Sequence, residues 1–310
     1  MECPLTFVKN AKADMKYAKM ESYRGMSLEE LDREYRVTAR IPDPRSVMKR
    51  ITAESELFRK QHAGLLDLRF GPTVFEALDL FIPSCSIRRA PVHLFVHGGY
   101  WYQFPKAHWS LIARGLTEAG VLVAVCDYSL CPAVTVTEIT RQVRAAVAWL
   151  YTNIAAYGGD PCQIHLSGHS VGGQLATMAG LAPWAEVYGL PQDVVKSVLA
   201  ISGVFDLRPI QQCYVQDFVN LSDHEVLTLA PYTNISRTSA LLHCAVGDGE
   251  TDEFVRQSVD FVGAWRNVGN KGEAEVLPGV DHLTIVDQLA QPDGRLCELA
   301  LGLLRTAGAP

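Results

Sequence analysis

A chain of 310 residues carries 34 acidic and 28 basic side chains, and its net charge of −6 argues against nucleic acid or an anionic membrane as the main partner. Hydrophobic content of 48% with 20% charged residues is that of a globular protein large enough to bury a substantial core. No apolar run approaches the length that spans a bilayer, and Met1-Glu2-Cys3-Pro4 followed by lysines lacks the apolar region of a secretory signal.

The first 26 residues have no clear period and read as a surface arm. Ser27-Leu28-Glu29-Glu30 has the form of a capping box, and Leu28, Leu31 and Tyr35 then share one helical face. A second helix is expected over Val47–His62, after Pro42 and Pro44. Leu65–Phe70 and Phe75–Ile82, parted by Gly71-Pro72, read as an antiparallel pair. From Pro91 onward, short apolar runs alternate with helical patterns. Strands are expected at Val92–Val96, Val121–Asp127, Ile164–Leu166, Ser197–Ile201, Ala240–Val246 and Ala274–Leu277, with helices near Ala107–Ala119, Thr137–Tyr157, Val171–Ala182 and Asp252–Val268. Ile139, Val143, Val147, Leu150 and Ile154 recur at helical spacing and define one apolar stripe. This alternation implies an α/β fold, a mostly parallel central sheet with helices on both faces. Residues 207–232 interrupt it. Ser222-Asp223-His224-Glu225 is a second capping box there, so a small helical cap is expected over the strand ends. No linker or repeat divides the chain, and 1–310 reads as one domain, with 1–63 as N-terminal arm and helices. Cys3, Cys85, Cys126, Cys131, Cys162, Cys213, Cys244 and Cys297 form no C-x-x-C pair, which fits a reduced, cytosolic protein.

Open α/β sheets bind ligands at the carboxyl ends of their strands, so the residues just past each strand are the ones to inspect. Gly168-His169-Ser170-Val171-Gly172 follows a strand-like run and opens a helical pattern. Glycines two residues before and after the serine permit a sharp strand-to-helix turn, which exposes the hydroxyl and aims the first helical N–H groups at a bound group. Alone, the pattern also fits a plain glycine-rich turn. In His97-Gly98-Gly99-Tyr100-Trp101, adjacent glycines free backbone N–H groups to face an oxyanion, and the aromatics are candidates for a pocket wall. The plainer alternative is a tight turn over a buried tryptophan. Asp248, Glu250 and Asp252 follow the strand at 240–246, and His282 follows the last strand. Serine, carboxylate and histidine in that order supply nucleophile, orienting acid and base. Among nine histidines, His282 has the position of the base, with the helical run Leu283–Ala290 behind it. His62, His108 and His224 fit helix or surface positions, and His93, His165 and His243 fall inside strands. His97 is placed to brace the glycine loop, and His169 to point away from the serine.

Together, His97-Gly98-Gly99-Tyr100-Trp101, Gly168-His169-Ser170-Val171-Gly172-Gly173, Phe254-Val255-Arg256-Gln257-Ser258 and Asp281-His282 resemble the kynurenine formamidase (arylformamidase) family, in the hormone-sensitive-lipase-like branch of the α/β-hydrolases. Ser27–Leu31 and Tyr35 extend the likeness over nearly the whole chain. His-Gly-Gly-x-Trp, in place of the His-Gly-Gly-Gly of related esterases, is the more specific motif. The resemblance implies hydrolysis of N-formyl-kynurenine to kynurenine and formate in tryptophan breakdown, without metal or cofactor. The implied partner is a small-molecule aryl formamide and the implied compartment cytoplasmic; a nuclear fraction and a homodimer stay open. Ser170 would be the nucleophile, His282 the base, Gly98, Gly99 and Val171 the oxyanion donors, and Tyr100 and Trp101 substrate contacts. The family's acid, usually Asp, stands four residues before the phenylalanine matching Phe254, which here is Glu250. Asp248, between two glycines, and Asp252, placed to cap the following helix, are its rivals. A broader carboxylesterase and a non-catalytic binding protein on the same fold compete as functions.

Overall fold

The computed structural model describes residues 22–62, 64–84 and 89–307; residues 1–21 of the arm expected over 1–26, with Cys3, and also Cys85 lie outside the described residues. A 3₁₀ turn at Tyr23–Gly25 leads into helices α1 (Leu28–Tyr35) and α2 (Pro44–Gln61). The capping box forms as read, with the Ser27 N–H donating to the Glu30 carboxylate at 2.8 Å. Helix α2 starts three residues before the expected Val47. Asp43 caps it through the Ser46 N–H, and Pro44 fills the first helical position, where a missing N–H removes no bond.

Eight strands form one sheet: β1 (Gly64–Arg69), β2 (Ala77–Phe81), β3 (Ala90–Val96), β4 (Leu122–Cys126), β5 (Gly159–His169), β6 (Val195–Ile201), β7 (Leu241–Gly247) and β8 (Gly272–Leu277). Their order is β1-β2-β4-β3-β5-β6-β7-β8. The pairs β1–β2 and β2–β4 are antiparallel and all others parallel. Side-chain alternation splits the core between the two faces. Val92, Leu94 and Val96 of β3 join one apolar cluster, while Phe95 joins the other. On the first face, the stripe Ile139, Val143, Val147, Leu150 and Ile154 is fully buried. Each such side chain contributes about 1.5–3 kcal/mol of transfer free energy.

The remaining helices are α3 (Ala113–Glu118), α4 (Val136–Asn153), α5 (Val171–Gly180), α6 (Trp184–Tyr188), α7 (Arg208–Gln212), α8 (Gln216–Val219), α9 (Asp223–Leu229), α10 (Asp252–Asn267), α11 (Asp287–Ala290) and α12 (Arg295–Ala307). The helix expected near 107–119 is split: Lys106–Ile112 is 3₁₀ and only the second half is α-helical. Strand β5 runs beyond the expected Ile164–Leu166 at both ends: Gly159 pairs with Ala90 across an irregularity at residues 160–163, and Ser167, Gly168 and His169 pair with Leu199, Ala200 and Ile201 of β6. Residues 207–232 fold into α7, α8 and α9 and a 3₁₀ turn at Pro231–Thr233, with the Ser222–Glu225 capping box formed. Phe218 of α8 stacks on Tyr102, ring centroids 4.6 Å apart, and Tyr214 meets Tyr100 edge-on at 6.5 Å. Gln174 of α5 donates to the Leu229 carbonyl at the end of α9. The segment therefore lies against the loops at the carboxyl ends of β3 and β5.

Candidate active site

Strand β5 ends at His169, and Ser170 makes the turn into α5 with φ 58° and ψ −125°, a strained conformation for a residue with a side chain. The flanking glycines are required by close approach. A Cβ on Gly168 would lie under 3.0 Å from the Gly172 carbonyl, and one on Gly172 equally close to the carbonyls of Val96 and His97. The Ser170 N–H donates to Ile201 O at 2.8 Å, which ties the turn to the end of β6.

Past β8, the Asp281 carboxylate accepts the N–H groups of Leu283 and Thr284, both at 2.9 Å, and shapes the loop that carries His282. His282 Nδ1 lies 2.5 Å from Glu250 Oε2, and both side chains are almost completely buried. An ionised carboxylate can only accept, so Nδ1 carries the proton and Nε2 is the basic nitrogen. Glu250 Oε1 in turn accepts the Ser202 hydroxyl at 2.6 Å and the Gly247 N–H at 2.8 Å. The carboxylate is thus fixed from the ends of β6 and β7. Phe254 meets the His282 ring edge-on at 4.9 Å.

The two rival carboxylates are engaged elsewhere. Asp248 accepts the Gly279 N–H at 2.8 Å and holds together the loops after β7 and β8. Asp252 faces solvent and pairs with Arg40 at 3.2 Å. The expectation that Asp252 caps α10 is corrected: Thr251 holds the cap position and Asp252 is the first helical residue. There its charge still complements the helix N-terminus.

The glycine loop is packed against the serine. A Cβ on Gly98 would lie 2.8 Å from the His169 carbonyl and 3.0 Å from Ser170 Cβ. Three consecutive residues then adopt left-handed backbone: Gly99 (φ 114°), Tyr100 (φ 48°) and Trp101 (φ 60°). The Tyr100 hydroxyl donates to Tyr35 O at 2.5 Å, and the Trp101 indole N–H donates to Gln174 at 3.3 Å. Trp101 is fully buried in the core, so it follows the plainer of its two readings. Tyr102, stacked on Phe218, is the more exposed aromatic of this loop. His97 stacks on Tyr128 at 4.2 Å; its Nδ1 lies 2.8 Å from Gly98 O and its Nε2 3.3 Å from Asp127. It braces the loop, as its position suggests.

His169 turns away from Ser170 toward the other loop. Its Nε2 donates to the His282 carbonyl at 2.7 Å, and its ring lies 4.7 Å from that of His282. Burial, reinforced by His282, pushes its pKa well below the ordinary histidine value and keeps it neutral. The strand histidines are core groups. His93 lies 2.6 Å from the Ser167 hydroxyl and His165 2.8 Å from that of Ser197. Burial lowers them to about 3 and about 4 respectively. Ser202, Tyr35 and Gln174 escape a search for catalytic residue types. Tyr35 is marked in the sequence only by its helical face and the family likeness, and Ser202 only by being the first residue past a strand.

With this geometry in view, comparison with known proteins adds the family. A family model described as BD-FAE matches residues 78–243, more than half of the chain. The chain belongs to the BD-FAE family. It is an α/β-hydrolase, and an enzyme of the hydrolase class. It is similar to kynurenine formamidase of Danio rerio, 27% identical over 296 residues that cover 92% of this chain and 99% of that protein. Among solved structures, a candidate thioesterase from Silicibacter sp. TM1040 superposes with a TM-score of 0.78 at 30% identity, over 88% of this chain and 99% of the other. An esterase from Pyrobaculum calidifontis, 19% identical, shares the fold with a TM-score of 0.66 over 85% of this chain and 94% of its own. Among the described residues, no helix is long and apolar enough to cross a membrane.

Proposed function

We propose that the protein hydrolyses the formamide bond of N-formyl-L-kynurenine, giving L-kynurenine and formate in tryptophan catabolism, with Ser170, Glu250 and His282 as the catalytic triad. The observation that carries this reading is the likeness to kynurenine formamidase along 92% of the chain. The contact between Glu250 and His282, and the engagement of Asp248 and Asp252 elsewhere, support the choice of acid. Ser170 Oγ attacks the formyl carbon while His282 Nε2 takes its proton. The backbone N–H groups of Gly98, Gly99 and Val171 hold the resulting oxyanion, each such donor contributing about 3–4 kcal/mol in the transition state. Collapse of the tetrahedral species breaks the C–N bond, and the aryl amine leaves with the proton from His282. Water then attacks the formyl-serine with His282 as base, releasing formate and restoring the Ser170 hydroxyl. Expulsion of an amine requires that proton, which is why the base must be fixed as rigidly as the nucleophile.

A broader esterase activity is the second reading, favoured by the likeness to the Silicibacter structure titled as a thioesterase. Both readings are tested on one aryl amine carrying formyl, acetyl and butyryl groups. The formamidase reading expects kcat/KM to fall steeply along that series, and equal or better rates on the longer acyl groups refute it. Ser170→Ala and His282→Ala are each expected to remove nearly all hydrolysis, with little further loss when combined. The reading also places the enzyme in the cytoplasm.

A further inference from the structure

Ser202 occupies a place that chemistry alone does not explain. It is the first residue after β6, completely buried, and its backbone is left-handed at φ 51°, a conformation that glycine adopts freely and serine does not. Its N–H donates to Ala245 O at 2.7 Å, so the backbone is tied to β7 whatever side chain is present. What a glycine would lack is the hydroxyl, and that hydroxyl donates to Glu250 Oε1 at 2.6 Å. The same oxygen takes the Gly247 N–H, while the other oxygen faces His282. A glutamate has one more rotatable bond than an aspartate, so a carboxylate at position 250 needs more anchoring to present one oxygen steadily to the imidazole.

We infer that Ser202 is a positioning residue for catalysis, acting through Glu250: its hydroxyl fixes the carboxylate, which sets the aim of His282. This rests on the proposed role of Glu250 as the triad acid. Two consequences separate positioning from simple structural support. Without the hydroxyl, the carboxylate is free to rotate away from Nδ1, so turnover falls while substrate binding is left intact. Because the hydroxyl acts only through Glu250, its loss should also cease to matter once that carboxylate is gone.

The experiment measures kcat and KM for Ser202→Ala, Ser202→Gly, Glu250→Gln and the Ser202→Ala/Glu250→Gln pair, using an aryl formamide. Ser202→Gly guards against a misfolded alanine variant, because it removes the hydroxyl while relieving the backbone. The expected result is a loss of kcat on the order of 10- to 100-fold in both single variants, the range for a hydrogen bond to a charged group. KM should stay within about threefold, so that the loss is read in kcat. Adding Ser202→Ala to Glu250→Gln should cost less than about twofold, since both act through one carboxylate. Recovery of the wild-type rate in Ser202→Gly overturns the inference, because the backbone and not the hydroxyl would then matter. So does a loss confined to KM, or a double variant whose losses multiply. If Glu250→Gln collapses while both Ser202 variants stay near wild type, only this inference fails. If Glu250→Gln itself keeps the wild-type rate, the acid assignment falls first and takes the inference with it.

Discussion

Replacing Tyr100 by phenylalanine removes a single oxygen from the loop that follows β3, and the structure gives that atom a defined task. Tyr100 and Trp101 both have left-handed backbone, which costs a residue with a side chain about 1–2 kcal/mol, so the two together hold about 2–4 kcal/mol of strain. Three tethers oppose it: the Tyr100 hydroxyl on Tyr35 O, the Trp101 indole on Gln174, and the Cys131 N–H on Trp101 O at 2.8 Å. Phenylalanine keeps the ring packing and deletes the shortest of the three. Tyr35 O retains the Tyr214 hydroxyl at 3.3 Å and is not left without a donor. The net loss should therefore be that of one neutral hydrogen bond, about 1 kcal/mol. For a chain of 310 residues that corresponds to a fall in Tm of about 1.5 °C. The same 1 kcal/mol shifts the loop toward relaxed conformations in which its N–H groups no longer face the oxyanion, a loss of about fivefold in kcat. Steady-state kinetics on an aryl formamide, with thermal unfolding in parallel, measures both. An unchanged kcat, or a change confined to KM, would refute the claim that this tether aims the loop.

Other outcomes follow from neighbouring features. Asp248→Asn and Asp252→Asn should each keep kcat within about threefold of wild type, against a loss of orders of magnitude in Glu250→Gln; a collapse in either would transfer the acid role to it. Gly172→Ala should yield little folded protein, because its Cβ meets two backbone carbonyls that cannot step aside; normal yield and Tm would show that the turn has more room than its geometry allows. His93 and His165 are held neutral by burial, with folded values of about 3 and about 4 below the ordinary 6.5. Above pH 6.5 both folded and unfolded forms leave them neutral. Below it only the unfolded chain takes up the protons, so stability should decline from pH 6.5 toward pH 4 by up to about 1.4 kcal/mol per pH unit for each histidine. Urea unfolding at pH 7.5 and 5.0 checks this, and His93→Gln should flatten the dependence; an identical slope would deny His93 its share.

The sheet was legible wherever an apolar run was short and bounded. Val92–Val96, Ser197–Ile201 and Ala240–Val246 all fall on real strands, because a buried parallel strand leaves a continuous apolar stretch with turn residues at each end. Strand β5 is longer than its apolar run because Gly159 pairs with Ala90 across the polar, irregular stretch 160–163, and because Ser167–His169 pair with β6 without being apolar. Helices α6 and α12 were missed. The first has five residues, and the second follows a short Pro-Asp-Gly break after the last recognised motif. The proposed triad of Ser170, Glu250 and His282 announces itself because a Gly-x-Ser-x-Gly turn, a carboxylate and a histidine each stand just past a strand. Ser202, Tyr35 and Gln174 do not, since serine, tyrosine and glutamine are ordinary residues until the fold places them. The distinction between Glu250 and Asp252 is likewise a matter of side-chain direction at a helix start, where two residues of offset separate a carboxylate that turns inward from one that faces solvent.

Helix α1 has little to dock on within its own part of the chain. The Tyr35 hydroxyl accepts from Gln257 at 2.6 Å and lies 3.4 Å from Glu253, and the Glu34 carboxylate accepts the Glu253 N–H at 3.0 Å, pairings that span more than two hundred residues. During synthesis, then, the first helix leaves the ribosome long before the surface it belongs to exists, and it waits as an amphipathic segment until α10 has emerged. Because Tyr35 also anchors Tyr100, the loop beside Ser170 shares a support with α10, made long after it, and settles fully only when that helix has joined the fold.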